Sequence, residues 1–248
     1  MKKTPRMPST AMSSTPAHPT LPELLGSVSK ISGHRQVLIR LNWMLEDEMR
    51  GAGDLVELLR MDAGLSARVI STANTALFRG GSHVSSVEEA VVRLGIWEIR
   101  RLLLSSIMRE MTLGALKVYR LAPGALWSRS LLTAISMEVL AAATDRSADS
   151  CYTVGLLHCA GMIVIDRWLS EKSPRRLPQA DPDDPQIAER EREFVGWSSD
   201  EVGAALLESW RFSGEMVLAV RHHRSPALAG EAAPMAALLQ LAQWHARA

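Results

Sequence analysis

The sequence predicts an all-α protein. Apolar residues recur at helical spacing almost throughout, Ser-x-x-Glu capping signals open two of the periodic segments, and strand-period alternation persists nowhere. The 248 residues suffice for one large domain or two small lobes. With 47% hydrophobic and 22% charged residues and a formal net charge of +1, the composition is that of an ordinary globular protein. A balance so near neutral gives no global electrostatic reason for a nucleic-acid or acidic-membrane partner, and neither is expected.

The elements follow in order. Residues 1–20 combine a basic start with Ser, Thr, Pro and Ala and no apolar core, which reads as a disordered tail rather than a secretory signal. Val37, Leu38, Leu41, Met44 and Leu45 form one stripe on a helix over 36–49. Asp54 is expected to cap a short helix carrying Leu55, Leu58 and Leu59, and a further helix spans Leu65 to Leu77. Ser86-Val-Glu-Glu89 is a capping box opening a helix that Gly95 breaks, and Ile96 to Met108 resumes it. Pro123 suits the first turn of the next helix, running to about Ala143, and another leads to His158. Ser170 to Pro185, with four prolines, is a surface loop. Ser198-Ser-Asp-Glu201 caps a helix through Trp210, a second reaches Arg224, and a last one covers about Ala232 to Ala246.

No apolar run is read as long enough to cross a bilayer, since the one at Met162 to Ile165 is flanked by Asp166 and Arg167; a cytoplasmic protein is expected. Cys151 and Cys159 lie too far apart on a shared helix for a disulfide, so both are expected as reduced thiols. The dibasic steps Arg100-Arg101 and Arg175-Arg176 are read as solvated surface charges. Most tryptophans occupy apolar helical positions, with Trp197 beside a loop the better candidate for exposure.

Several motifs carry a family resemblance in common order. They are DAGLSARVISTANTALF at 62–78, SSVEEAVVRLG at 85–95, Trp127, Gly155-Leu-Leu-His158, Val202-Gly203, Glu208-Ser-Trp210 and His222-His223. Together they resemble HDOD domains, a divergent branch of the HD superfamily of metal-dependent phosphohydrolases. The resemblance covers about Leu21 to the C-terminus and implies an N-terminal helical lobe, about 21–115, packed on an HD-like lobe, about 120–248.

It also implies where a metal site would stand. In HD enzymes an adjacent His-Asp pair holds a divalent cation; here the pair is His158-Cys159, and the hard carboxylate is missing. The earlier histidine position holds Arg129, a later one Ser199, and the final aspartate position Gln243. Only His158 and the His222-His223 pair remain. A guanidinium at the first-ligand position sets a permanent cation where a divalent metal would sit. The resemblance therefore implies a vestigial site at Arg129, His158, Cys159, Ser199, His222, His223 and Gln243, with no catalytic residue, no metal and no cofactor.

Each of these residues also has a plainer reading. His158, beside Cys and Ala on an apolar helix, reads as a core residue bonded through one ring nitrogen. Cys159 is either a thiol activated by a helix start or an inert small apolar residue, and the second is preferred. Arg221-His-His-Arg224 is either a phosphate- or nucleic-acid-backbone-binding cluster or a set of cations offsetting the carbonyl end of a helix, and the second is preferred. Neighbouring helical side chains diverge by about 100°, so His222 and His223 do not both face one pocket.

The expected function is a non-catalytic regulatory module of bacterial signal transduction acting through protein–protein contacts, with signalling proteins of cyclic-dinucleotide or two-component pathways supplied in trans. Such a role needs an exposed apolar patch or groove. Two alternatives stay open: a phosphohydrolase with a rebuilt metal site, and a nucleotide sensor in which Arg129 holds the phosphate.

Overall fold

The computed structural model describes residues 18–28, 35–46, 52–78, 80–172, 182 and 184–246. The tail through residue 17, the Arg175-Arg176 step and most of the proline-rich loop lie outside the described residues. Twelve α-helices and one 3-10 segment account for the regular structure among the described residues, with a lone β-bridge between Leu116 and Leu121.

The N-terminal half comprises α1 (Leu21–Gly26), α2 (Arg35–Glu46), α3 (Ala52–Arg60), α4 (Ala63–Ala73) and α5 (Val87–Met111). Helix α1 was not expected, although Thr20 and Glu23 form a capping box at its start. Helix α3 begins before Asp54, so that residue lies inside the first turn rather than capping it. The cap belongs instead to Asp62, whose carboxylate accepts the Leu65 amide and starts α4. At α5, Ser86 accepts the Glu89 amide as expected, but Glu89 reaches back to the amide of Ser85, one residue further out. Gly95 breaks α5 with φ 75°, ψ 165°, a conformation open to glycine and strained for other residues.

The C-terminal half comprises α6 (Ala125–Ala141), α7 (Ala148–Leu157), α8 (Ala160–Lys172), α9 (Ile187–Val195), α10 (Ser199–Ser209), α11 (Gly214–His222), a 3-10 segment (Pro226–Ala232) and α12 (Ala233–His245). Pro123 stands outside α6, which Gly124 caps with a positive φ. The Ser198–Glu201 capping box is present in full at α10. Helix α9 was missed.

Two apolar clusters fill the interior. One joins α3, α4 and the outer half of α5 to Val37, Leu41 and Met44 of α2. The other, larger, gathers α6 to α12 around Leu104, Ile107 and Met108 at the inner end of α5, so α5 serves both. Helix α1 packs on α8 and α10, which places it with the larger cluster rather than with the helices that follow it.

Helices α7 and α8 together span Ala148–Lys172, a 25-residue stretch as long and apolar as a membrane span, longer than the sequence reading allowed. In the fold, 83% of its most apolar window is buried against other helices. Two glycines make that packing close. A Cβ on Gly155 would stand 2.6 Å from the Ala134 Cα of α6. One on Gly161 would overlap the Ser199 carbonyl oxygen and stand 2.6 Å from the Gly203 amide nitrogen of α10.

Candidate functional site

The turn His158-Cys159 joins α7 to α8 between these two glycine contacts, which hold it against α6 on one side and α10 on the other. His158 is buried, and its Nδ1 lies 2.7 Å from the Gly155 carbonyl oxygen. A carbonyl only accepts, so Nδ1 carries the proton and Nε2 keeps its lone pair. Burial, followed by the neighbouring His223 and the charges of Arg129 and Arg224, depresses its pKa to about 3. The ring is therefore neutral at physiological pH.

His223 repeats the arrangement at the end of α11. It is buried, and its Nδ1 donates to the Val220 carbonyl at 2.7 Å. The two rings meet edge to face, with centroids 6.2 Å apart and planes at 78°. His223 Nε2 stands 3.7 Å from Asp200 Oδ1, while the other Asp200 oxygen accepts Arg224 Nε at 2.8 Å. Asp200 and Arg224 thus belong to the site; the sequence placed Asp200 only within a capping box and Arg224 only within the basic end of a helix.

Cys159 is buried, with Sγ 2.7 Å from Ser130 Oγ of α6. The Ser130 hydroxyl donates to the Leu126 carbonyl, so the thiol is the donor of that contact. Burial pushes the Cys159 thiol up to about 11, the opposite of an activated nucleophile. Arg129, half-buried on α6, places its charge within reach of both His158 and Cys159.

Ser199 is buried on α10 next to Asp200, with its amide donating to Glu191 Oε2 at 2.6 Å. Gln243 is buried on α12, which packs on α6, α7 and α11. His222 is half-exposed on the last turn of α11 while His223 is buried, the divergence expected of neighbouring positions. The structure thus brings together Arg129, His158, Cys159 and His223, and adds Asp200 and Arg224.

The HD superfamily implies a divalent metal, and the residues present do not fit one. Among the described residues, no group of three or more His, Cys, Asp or Glu side chains is arranged to hold a metal ion. The thiol keeps its proton, whereas a metal-ligating cysteine is a thiolate. The nearby carboxylate is already paired with a guanidinium.

Glu191 anchors the floor beside this site. Although fully buried, it accepts the Tyr119 hydroxyl and the Ser199 amide, each at 2.6 Å. Burial raises its pKa to about 6 against the opposing pull of those two donors. Glu191→Ala orphans both donors, and urea unfolding is expected to show a loss of about 3 kcal/mol.

Two further expectations are corrected. Arg100 is not a solvated charge: it is only 6% exposed, its guanidinium lying 5.5 Å from the Trp97 ring and 5.1 Å from that of Phe212. Arg101 lies over Tyr152 and forks onto Glu138 of α6. Trp197 is half-buried, donating to the Pro19 carbonyl at 2.9 Å, while Trp244 is the most exposed tryptophan among the described residues.

Comparison with known proteins agrees with this architecture. A solved candidate phosphohydrolase of Shewanella amazonensis superposes with a TM-score of 0.68 at 26% identity, covering 91% of this chain and 80% of its own. An HDOD domain protein of unknown function from Geobacter sulfurreducens gives 0.62 at 22% identity, over 91% and 76%. A candidate signal transduction protein from Marinobacter aquaeolei gives 0.64 at 23% identity, over 90% and 53%. An uncharacterized protein of Treponema pallidum is 26% identical over 225 residues, 85% of this chain. The chain spans only 41% of the length of that relative. The HDOD domain profile itself matches residues 33–226, which with the all-helical architecture places the chain in the HDOD domain family.

Proposed function

We propose that this chain is a non-catalytic regulatory module of bacterial signal transduction that acts through protein–protein contacts. The observation that carries the reading is the chemistry around His158. Its neutral ring abuts His223, Cys159 keeps its proton, Asp200 is committed to Arg224, and the fixed cation of Arg129 stands nearby. Hydrolysis of a phosphoester at such a site needs a cation that fixes and acidifies a water, and this set of groups favours neither. A structural relative named as a candidate signal transduction protein is consistent with the role, and at 23% identity it speaks for the shared fold alone.

The test is turnover of a panel of phosphomonoesters, nucleotides and cyclic dinucleotides by the purified chain with added Mn²⁺, Mg²⁺ or Zn²⁺, alongside metal analysis. No turnover and no stoichiometric metal are expected. Turnover abolished in His158→Asn overturns the proposal in favour of a rebuilt hydrolase. Nucleotide binding by calorimetry that disappears in Arg129→Ala overturns it in favour of a sensor.

A further inference from the structure

We propose that the outer faces of α6 and α12 form a self-association surface on which a second copy of this chain packs. Leu132, Ile135 and Val139 follow one another at spacings of three and four along α6, and so share a face. They are 52%, 46% and 68% exposed. On α12, Leu241 and Trp244 make a matching stripe, 57% and 72% exposed. The two helices pack side by side, and Ser136 Oγ meets His245 Nδ1 at 3.2 Å between the stripes.

No Asp, Glu, Lys or Arg occupies an exposed position on either helix. By contrast, the exposed positions of α9 are Glu189, Arg192 and Glu193. An uncharged face gives a charged partner nothing to recognise, whereas a twofold axis sets such a face against its own copy without any charge to bury. The result is a layer of four helices closed by apolar side chains.

The area suffices for a weak dimer. Helices of 17 and 13 residues, side by side, give a footprint of about 25 by 20 Å. That footprint is about 500 Å² in projection, which places the contact at the weak, concentration-dependent end of specific interfaces. Glu138, held by Arg101 on the flank of α6 away from α12, supplies a charged edge of the kind that rims such contacts. This surface is separate from the buried His158–His223 pair, so its failure leaves the regulatory reading intact.

Sedimentation equilibrium of the full chain between about 1 and 200 µM tests the proposal. Twice the monomer mass is expected in the upper part of that range. Val139→Glu and Leu241→Lys, each at an exposed position, are expected to weaken the dimer at least about 100-fold while the far-UV melting curve stays in place. Should either variant fail to fold, the neutral Leu132→Gln serves instead. The summed tryptophan emission, to which exposed Trp244 contributes, is expected to shift to shorter wavelength as the wild-type chain is concentrated, and not in Val139→Glu or in Trp244→Phe. A monomer at every concentration overturns the proposal, including a monomer that binds an added apolar peptide on this face. So does a dimer that all the substitutions leave unchanged.

Discussion

Gly161→Ala is expected to lower stability by about 4 kcal/mol or more, among the largest effects of a single added methyl group. The new Cβ would overlap the backbone carbonyl of Ser199 and crowd the amide of Gly203, and neither atom belongs to a flexible side chain. Helices α8 and α10 must therefore part along their contact, loosening Asp200 and Ser199 together with the turn that carries His158. For a chain of this size the melting temperature should fall by about 8 to 16 °C. Gly53→Ala is the control: nothing lies within 4 Å of its Cβ position, and it sits inside α3, so the change is expected to raise stability by up to about 1 kcal/mol. Thermal melts of the two variants check both values. Equal, small effects would falsify the account of α8 on α10.

Acidification is expected to destabilise the protein through His158. The folded pKa of about 3 lies below the ordinary 6.5, so the stabilisation is complete above pH 6.5 and is lost as pH falls toward 3. Fully lost, it amounts to about 5 kcal/mol. Glu191 acts with the opposite sign: its folded pKa of about 6 lies above the ordinary 4.5, so its contribution is present below pH 4.5 and lost as pH rises through 6. Between pH 6 and 4.5 the two slopes nearly cancel, and the steep loss comes from His158 below 4.5. His158→Asn keeps a donor for the Gly155 carbonyl but does not titrate. Urea unfolding at pH 7 and pH 4 is expected to show the drop shrinking by about 3 kcal/mol in that variant. Glu191→Gln should instead unmask the slope from pH 6.5 downward. Unchanged pH dependence in both variants would remove these groups from the account.

Which elements were legible follows from where their information lies. Helix α10 is announced by Ser198 and Glu201, a signal complete within four residues, and the break at Gly95 is equally local. Helix α9 hides because its charged outer face outweighs the few apolar residues, Ile187, Ala188 and Val195, that it buries. At six residues, α1 is too short for a period to register. The positions around His158 were readable from motif order, but the Asp200–Arg224 bond joins α10 to the turn after α11, 24 residues on, and exists only once the two helices pack. Arg100 misled for the same reason: Trp97 is near in sequence, whereas Phe212 arrives from the far side of the fold. The motif around His158 was noticed for its missing carboxylate, and its two glycines prove to set the helix spacing.

The apolar length of α7 and α8 bears on how the chain is made. Helix α6 precedes them and is ready to cover the Gly155 side as α7 leaves the ribosome. The partner of Gly161 is α10, which is complete only at Ser209. At about 5–20 residues per second, α8 waits roughly 2 to 7 s with its inner face bare. During that interval the nascent chain displays an apolar segment of membrane-span length, the kind of surface that aggregates when left uncovered. The proline-punctuated stretch between α8 and α9 lengthens that exposure, because every residue in it postpones the arrival of the helix that ends it.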